Sequence, residues 1–195
     1  MKKILILFAH PALQKSRVNK HLVDGFSETD GITFHDLYQS YPELDIDVKY
    51  EQQLLLENDI VIFHHPFFWY STPAILKEWQ DLVLEHNWAY GSKGNALKGK
   101  IFFNVITTGG RAEAYCEKGY NRHTVKQLLA PIEQTAKLCR MIYLPPFVIH
   151  GTHSITSEKI KSHKEKYHKI LALLRDEKIG IEEIQKLNYL NDYQD

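Results

Sequence analysis

The chain has 195 residues, and its 24 basic and 24 acidic residues give a formal net charge of zero at pH 7. A balanced charge argues against a nucleic-acid partner and against binding to an anionic membrane surface, because both need a basic patch. The two cysteines, Cys116 and Cys139, form no C-x-x-C motif, and no apolar run approaches the length of a bilayer span. We therefore expect a cytoplasmic domain with a sizeable core and without a disulfide framework.

Short apolar runs alternate along the chain with segments of helical spacing. The first half predicts strands over residues 4–8, 32–35 and 60–63, and helices over 16–26, 48–57 and 74–85. The second half predicts a strand over 101–106, a helix over 124–138, a fifth strand over 141–143 that continues over 147–149, and a helix over 157–174. Residues 176–195 are more polar, and we expect a tail that packs as a short helix or frays.

This alternation predicts an α/β fold in which a five-stranded parallel sheet lies between two layers of helices, a three-layer α/β/α sandwich over residues 1–175. Five strands and five helices are typical of flavodoxin-like proteins. In such sheets a ligand binds beyond the carboxyl ends of the strands, where the strand order reverses. Three predicted strands end in unusual residues, namely His10-Pro11, the aromatic segment 65–73 and Thr107-Thr108-Gly109-Gly110. We expect the functional site at these three ends.

The segment after the first strand carries groups that suit a phosphate. The start of a helix leaves backbone N–H groups unpaired, and Ser16, Arg17 and Asn19 add a hydroxyl, a permanent charge and an amide. His10 can donate to the same oxygens. The alternative is that Ser16 is only a helix N-cap. The dinucleotide motif G-x-G-x-x-G is missing, which favours the phosphate of a mononucleotide.

The aromatic segment after the third strand suits a flat, conjugated ligand, and we expect a flavin. Four aromatic residues in a row follow Pro66, namely Phe67, Phe68, Trp69 and Tyr70. Such side chains on a loop can lie along the edge of a ring system while backbone N–H groups meet its heteroatoms. The alternative is that some of them belong to the core or to a dimer interface.

The small residues after the fourth strand let the backbone approach a ring closely, and the hydroxyls of Thr107 and Thr108 can donate to its polar edge. Further along, Tyr115 can donate to a flavin carbonyl and stabilise negative charge on the reduced ring. Asn121 and His123 can face a substrate. The alternative for these last residues is an ordinary surface loop.

Two pairs of histidines resemble metal ligands at first. His64 and His65 are neighbours on a strand, so their side chains point to opposite faces of the sheet. His150 and His153 have no cysteine or carboxylate close in sequence to complete a ligand set. We therefore expect no metal site.

Several motifs in order resemble the flavodoxin-fold NAD(P)H:quinone oxidoreductases, and among them the KefF/KefG group of ancillary proteins of glutathione-gated potassium efflux. The resemblance covers residues 3–174. It rests on A-H-P followed by S-x-x-N, L-Y-x-x-Y-P at 37–42, H-P-x-x-W-Y-S-x-P at 65–73, W-A-Y-G at 88–91, T-T-G-G at 107–110 and L-P-P-F at 144–147.

The resemblance implies a flavin bound at a homodimer interface, with FMN favoured and FAD second because the chain lacks the long C-terminal extension of the larger FAD enzymes. Its phosphate would be held by His10 and the turn of Ser16, Arg17, Val18 and Asn19. Residues 66–70 would hold the edge of the ring, and 107–110 its pyrimidine end. Tyr115 matches a tyrosine that pairs with a histidine in the larger enzymes, and Asn121 stands at the position of that histidine.

The activity implied is ping-pong transfer of two electrons, in which NAD(P)H delivers a hydride and leaves before a quinone enters the same cavity. That cavity would be lined by Trp69, Tyr70, Trp88 and His150, the last two from the partner subunit. An alternative role is that of a regulatory subunit docked on the cytoplasmic face of a potassium/proton antiporter, peripheral to the membrane. A phosphate-binding domain without flavin would leave the aromatic segment unexplained.

Overall fold

A parallel β-sheet crosses the centre of the molecule in the computed structural model, which describes residues 1–194. Its strands are β1 (Ile4–Phe8), β2 (Ile32–Asp36), β3 (Ile60–Pro66), β4 (Ile101–Thr107), β5 (Ile142–Tyr143) and β6 (Phe147–Ile149). The order is β2-β1-β3-β4-β5, and β6 also pairs with β4. This is the flavodoxin-like order, with the reversal between β1 and β3. The predicted fold class is confirmed.

The predicted fifth strand is divided into β5 and β6, and both halves pair with β4. Ile142 lies opposite Ile101, and Phe147 lies opposite Val105. Between the halves stand Pro145 and Pro146, which have no N–H group to donate to a neighbouring strand. The prolines therefore interrupt the ladder, and Phe147–Ile149 continues the strand as predicted.

Helices cover both faces of the sheet. They are α1 (Arg17–Val23), α2 (Leu37–Ser40), α3 (Val48–Glu57), α4 (Ala74–Val83), α5 (Val125–Leu128), α6 (Ala130–Leu138), α7 (Ser157–Arg175) and α8 (Ile181–Ile184). One apolar core joins the sheet to α2, α3, α4, α5 and α6, and a second joins its other face to α1, α7 and α8. Within residues 1–194 no helix is both long enough and apolar enough to cross a membrane.

The helix predicted over 124–138 is two helices. Leu129 separates α5 from α6 with φ −85° and ψ 0°, and Pro131 stands in the first turn of α6. A proline inside a continuous helix would remove a hydrogen bond and clash with the preceding turn, whereas it is tolerated in the first turn. The proline therefore sets the break.

Two other predicted helices are shorter than expected, and one helix was not predicted. The helix of 16–26 ends at Val23, close to Gly25 with φ 93°, and that of 74–85 ends at Val83. The four-residue α2 begins after Asp36, whose side chain accepts hydrogen bonds from two backbone N–H groups of the helix. A single turn of this kind leaves no hydrophobic period to detect.

The tail lies along β6, apart from Asp195, which is outside the described residues. Leu190 is fully buried, and its backbone N–H donates to Pro146 O at 3.0 Å. The side chain of Asn191 accepts from Val148 N at 2.7 Å and donates to Val148 O at 3.0 Å. Leu190 and Asn191 are therefore held against the edge of the sheet, while Ile179 and Ile184 are buried in the second core.

Candidate functional site

The carboxyl ends of β1, β3 and β4 surround an open groove with a volume of ≈ 590 Å³. Residues from all three predicted segments line it, although they are far apart in the chain. Of the residues predicted to bind a cofactor, the structure brings together here His10, Ser16, Arg17, Val18, Asn19, Pro66, Phe67, Phe68, Thr107 and Gly109. The groove lies at the topological switch point, where ligands bind in doubly wound sheets.

His10 presents a hydrogen-bond donor to the groove. The backbone N–H of Ala12 donates to His10 Nδ1 at 3.1 Å, so the proton of the neutral ring is on Nε2. Burial lowers the pKa of this imidazole, against a smaller opposite effect of the backbone of His10 itself. His10 is therefore a neutral side chain with a fixed N–H donor.

Ser16 is also fixed as a donor. Its Oγ accepts the backbone N–H of Asn19 at 3.2 Å and the side-chain amide of Asn19 at 3.0 Å. A hydroxyl oxygen has two lone pairs, and both are used, so its own proton is free to donate elsewhere. Ser16 is the N-cap of α1, and this role leaves its hydroxyl proton available.

Positive charge adds to these donors. Arg17 and Lys15 line the groove, and the guanidinium of Arg17 donates to the backbone oxygen of Ile155. No lining residue within the described part of the chain is a carboxylate. A set of N–H, O–H and cationic groups without acidic neighbours suits the oxygens of a phosphate, so this end of the groove fits the phosphate of a mononucleotide.

Asn19 corrects one prediction, because its side chain has no free donor for a phosphate. It is almost fully buried, and Nδ2 donates to Ser16 Oγ and to Thr107 Oγ1 at 3.0 and 3.1 Å. Its Oδ1 accepts from His64 Nε2 at 3.3 Å. The amide therefore joins neighbouring side chains instead of contacting a ligand.

The aromatic segment is divided between core and surface. Phe67 is buried in the core, which is the alternative that the sequence left open, while the exposed fractions are 46% for Phe68 and Tyr70 and 93% for Trp69. Trp69 and Tyr70 have φ of 50° and 63°, a left-handed conformation that costs energy in residues other than glycine. This left-handed backbone conformation directs the rings of Trp69 and Tyr70 toward solvent.

The loop after β4 corrects a second prediction. The hydroxyl of Thr108 donates to Gly110 O at 2.8 Å and accepts from His150 Nδ1 at 3.0 Å, so it is not free to donate to a ring. Gly109 faces the groove without a side chain, and a Cβ there would lie 2.8 Å from His153 Nε2. The absence of a side chain at Gly109 therefore leaves room for the imidazole of His153, and the approach of this backbone to a ligand stays a prediction.

Tyr115 lies behind this loop. Its ring is buried, lies 5.4 Å from the ring of His150, and is near enough to Gly110 that a Cβ there would be 3.2 Å from Tyr115 Cε2. Burial raises the pKa of the phenol, and hydrogen bonds with Thr108 and Asn121 act in the opposite direction. Tyr115 and Asn121, the two residues predicted to be catalytic, therefore lie close together, and the phenol is protonated at neutral pH.

The four residues predicted to line a substrate cavity do not meet within one chain. Trp88 is partly buried and packs against the core beside α4. His150 lines a second groove of ≈ 620 Å³ on the far side of the loop after β4. Trp69 and Tyr70 stand outward at the mouth of the first groove. A cavity made of all four would need a second subunit.

Four residues of the groove were not predicted from the sequence. Thr152 and His153 reach it from the turn after β6, where the only signal was a pair of histidines that suggested a metal, and Ala12 and Lys15 lie before α1. His64 and His65 do point to opposite faces, since His64 packs against Phe8 and Tyr167 in the second core, whereas the alternate residues Val61 and Phe63 of β3 lie in the first core. Within residues 1–194 no three histidine, cysteine or acidic residues are grouped as metal ligands.

Comparison with known proteins gives matches over most of the chain. A family model described as the flavodoxin-like fold matches residues 2–171. The glutathione-regulated potassium-efflux system ancillary protein KefG of Pectobacterium carotovorum is 43% identical over 170 residues, which are 87% of this chain and 93% of that protein.

Two solved structures are also similar. General stress protein 14 of Treponema denticola, in complex with FMN, is 39% identical with a TM-score of 0.84, and the match covers 88% of this chain and 99% of that one. An NADPH-quinone reductase from P. pentosaceus is 31% identical with a TM-score of 0.79, over 86% and 96% of the two chains. The resemblance indicated by the motifs is confirmed, and the chain belongs to the flavodoxin-like fold family.

Proposed function

We propose that the chain is an FMN-dependent NAD(P)H:quinone oxidoreductase that transfers two electrons by a ping-pong mechanism. The observation that carries the proposal is the groove at the switch point, where His10 and Ser16 are fixed as donors beside Arg17. A similar solved chain is in complex with FMN, and another is a quinone reductase. FAD is the second choice of cofactor. We assign this function to residues 1–175.

When bound, FMN supplies reversible hydride chemistry, which amino-acid side chains do not provide. Ser16, Arg17 and His10 bind its phosphate through the donors described above. Gly109 lets the backbone lie against the ring system, and the exposed aromatic side chains after Phe67 cover the apolar part of the ring and exclude water.

Tyr115 holds a proton close to the site. Its phenol stays protonated because burial raises its pKa, and Thr108 and Asn121 lie beside it. A donor placed in this way stabilises negative charge that develops on a neighbouring acceptor during hydride transfer. In this proposal NAD(P)H and the quinone share the open side of the groove, so each would leave before the other binds, which would give ping-pong kinetics.

A homodimer completes the site in this proposal. Trp69 is 93% exposed in one chain, and neither Trp88 nor His150 lines the groove. The partner subunit's Trp88 and the partner subunit's His150 would close the cavity over the aromatic segment. Large exposed aromatic side chains are typical of such interfaces.

The test is a visible absorption spectrum of the purified protein, followed by heat release and chromatography of the chromophore. We expect a flavin spectrum that bleaches with NADH or NADPH and returns with a quinone, and we expect FMN in the released fraction. A colourless protein that binds neither added FMN nor FAD would overturn the proposal.

The second candidate function is that of an ancillary subunit on the cytoplasmic face of a potassium/proton antiporter, peripheral to the membrane. It is favoured by the 43% identity to KefG over 87% of the chain. Copurification with the cytoplasmic part of such an antiporter, together with slow turnover of every quinone, would support this role over a purely catalytic one.

A further inference from the structure

We propose that His64 is a positioning residue for the phosphate end of the groove, acting through the side chain of Asn19 on the hydroxyl of Ser16. The inference rests on the proposed flavin function and deepens it. His64 is fully buried on β3 and lies outside the lining of the groove, so any effect on a ligand must pass through other residues.

The first step concerns the orientation of the Asn19 amide. Its two N–H donors point to Ser16 Oγ and Thr107 Oγ1, at 3.0 and 3.1 Å, and its oxygen points to His64 Nε2 at 3.3 Å. The reversed amide would place its oxygen against Ser16, whose hydroxyl proton would then turn inward to it. The orientation of Asn19 therefore decides whether Ser16 can donate into the groove.

The second step concerns the proton of His64. Its Nδ1 has no hydrogen-bond partner within residues 1–194. A buried lone pair without a partner costs less than a buried N–H without a partner, so the proton belongs on Nε2, where Asn19 Oδ1 accepts it. The imidazole is thereby a donor and selects the amide orientation that frees the hydroxyl of Ser16.

The third step is that the Nε2–H donor of His64 keeps its protonation state near neutral pH and that its ring is held in place. Burial lowers the pKa of His64 to about 3, so the ring stays neutral. Phe8 and Tyr167 pack edge-on against it, with ring centroids 5.1 and 5.6 Å away. Asn19 also joins α1 to the end of β4 through Thr107, so the same amide holds two walls of the groove together.

The experiment compares FMN with riboflavin, which lacks the phosphate, by titrating apoprotein of the full chain and following flavin fluorescence. In His64→Leu we expect the Kd for FMN to rise roughly tenfold or more, the effect of one hydrogen bond to a charged group, while the Kd for riboflavin changes by less than about twofold. His64→Gln restores an amide donor toward Asn19 and should recover most of the affinity for FMN.

Tyr167→Phe is the matched control. It removes a buried hydroxyl that has no partner in the described part of the chain, next to the same imidazole, and should leave both flavin affinities unchanged. In a Ser16→Ala background, His64→Leu should have no further effect on FMN binding, because His64 acts on the phosphate only through the hydroxyl of Ser16. If His64→Leu does not fold, His64→Asn replaces it, since the shorter amide does not reach Asn19.

Equal weakening of FMN and riboflavin binding in His64→Leu would show a general structural role and overturn the inference. Unchanged binding of FMN would do the same, and so would an undiminished effect in the Ser16→Ala background. All three of these results leave the flavin function intact, provided that the wild-type protein binds FMN. A wild-type protein that binds neither flavin would overturn the proposed function and this inference together.

Discussion

The hydroxyl of Tyr70 donates a hydrogen bond to Asn121 Oδ1 at 3.1 Å, which ties the aromatic segment after β3 to the loop that carries Tyr115. The two loops are 51 residues apart in the chain. Tyr70 and its neighbour Trp69 are both in the left-handed conformation, and this bond is one of the contacts that hold it. The aromatic surface and the buried phenol are therefore parts of one arrangement.

Replacing both exposed aromatic residues, in Trp69→Ala with Tyr70→Ala, should weaken flavin retention and leave the fold intact. Neither side chain belongs to a buried core, so we expect a melting temperature within a few degrees of wild type. Flavin content after gel filtration and turnover with a quinone are the measurements. Leu138→Ala at the end of α6 is the control, since Leu138 is 53% exposed and does not line the groove. Stoichiometric flavin and full turnover in the double variant would contradict the role of this segment.

Glu51 should be among the most sensitive positions for stability. It is fully buried, and its carboxylate accepts from His35 Nε2, Tyr41 OH and Trp79 Nε1 at 2.6, 2.6 and 2.7 Å. Glu51→Ala would leave three buried donors without an acceptor, and we expect a loss of about 3–5 kcal/mol in the free energy of unfolding. Urea unfolding at pH 7 measures it.

The control for Glu51 is Glu57→Ala on the same helix. Glu57 is exposed and bonds only to the side chain of Gln53 among the contacts of the described residues, so the change should stay within about 0.5 kcal/mol. A loss below about 1 kcal/mol in Glu51→Ala would show that the three donors find other partners, and that the network does not hold α3 and α4 to β2.

Stability should fall between pH 7 and pH 5, before most carboxylates titrate. Burial lowers the pKa of His64 to about 3 and that of His65 to about 4, whereas an unfolded histidine has a pKa of about 6.5. The unfolded state thus binds more protons in this range, and each histidine should cost the folded state about 2 kcal/mol at pH 5 relative to pH 7.

Urea unfolding at the two pH values tests this, and His64→Gln should lose about half of the pH dependence that His64 and His65 cause. Burial also lowers the pKa of His10 and His150, which adds to the effect with the same sign. Equal free energies of unfolding at pH 7 and pH 5 would show that these imidazoles are not held in a dry, neutral state.

The strands could be predicted because β1, β3 and β4 are buried along their whole length and each begins with a run of apolar residues. The position of the site followed from the same fact, since unusual residues at strand ends meet at one edge of a parallel sheet. Helix ends were less predictable. Pro131 could have indicated the break between α5 and α6, whereas the single turn of α2 left no periodic signal.

The roles of individual polar groups could not be predicted, because their partners are distant in sequence. Asn19 looked like a ligand contact, and its amide is used instead by Thr107 and His64, 88 and 45 residues away. The hydroxyl of Thr108 is used by Gly110 and His150 in the same way. Sequence spacing shows which donors are available in a segment, and only the fold shows which of them are already occupied.

The bonds between Asn191 and Val148 have a consequence for how the molecule behaves at high concentration. An edge strand offers unpaired backbone groups to which a strand from another molecule can add, and this is a common start of aggregation. The amide of Asn191 takes both the N–H and the C=O of Val148, in the manner of one residue of a further strand. Asn191 thus covers the exposed edge of β6, and it prevents a strand from another molecule from pairing with that edge.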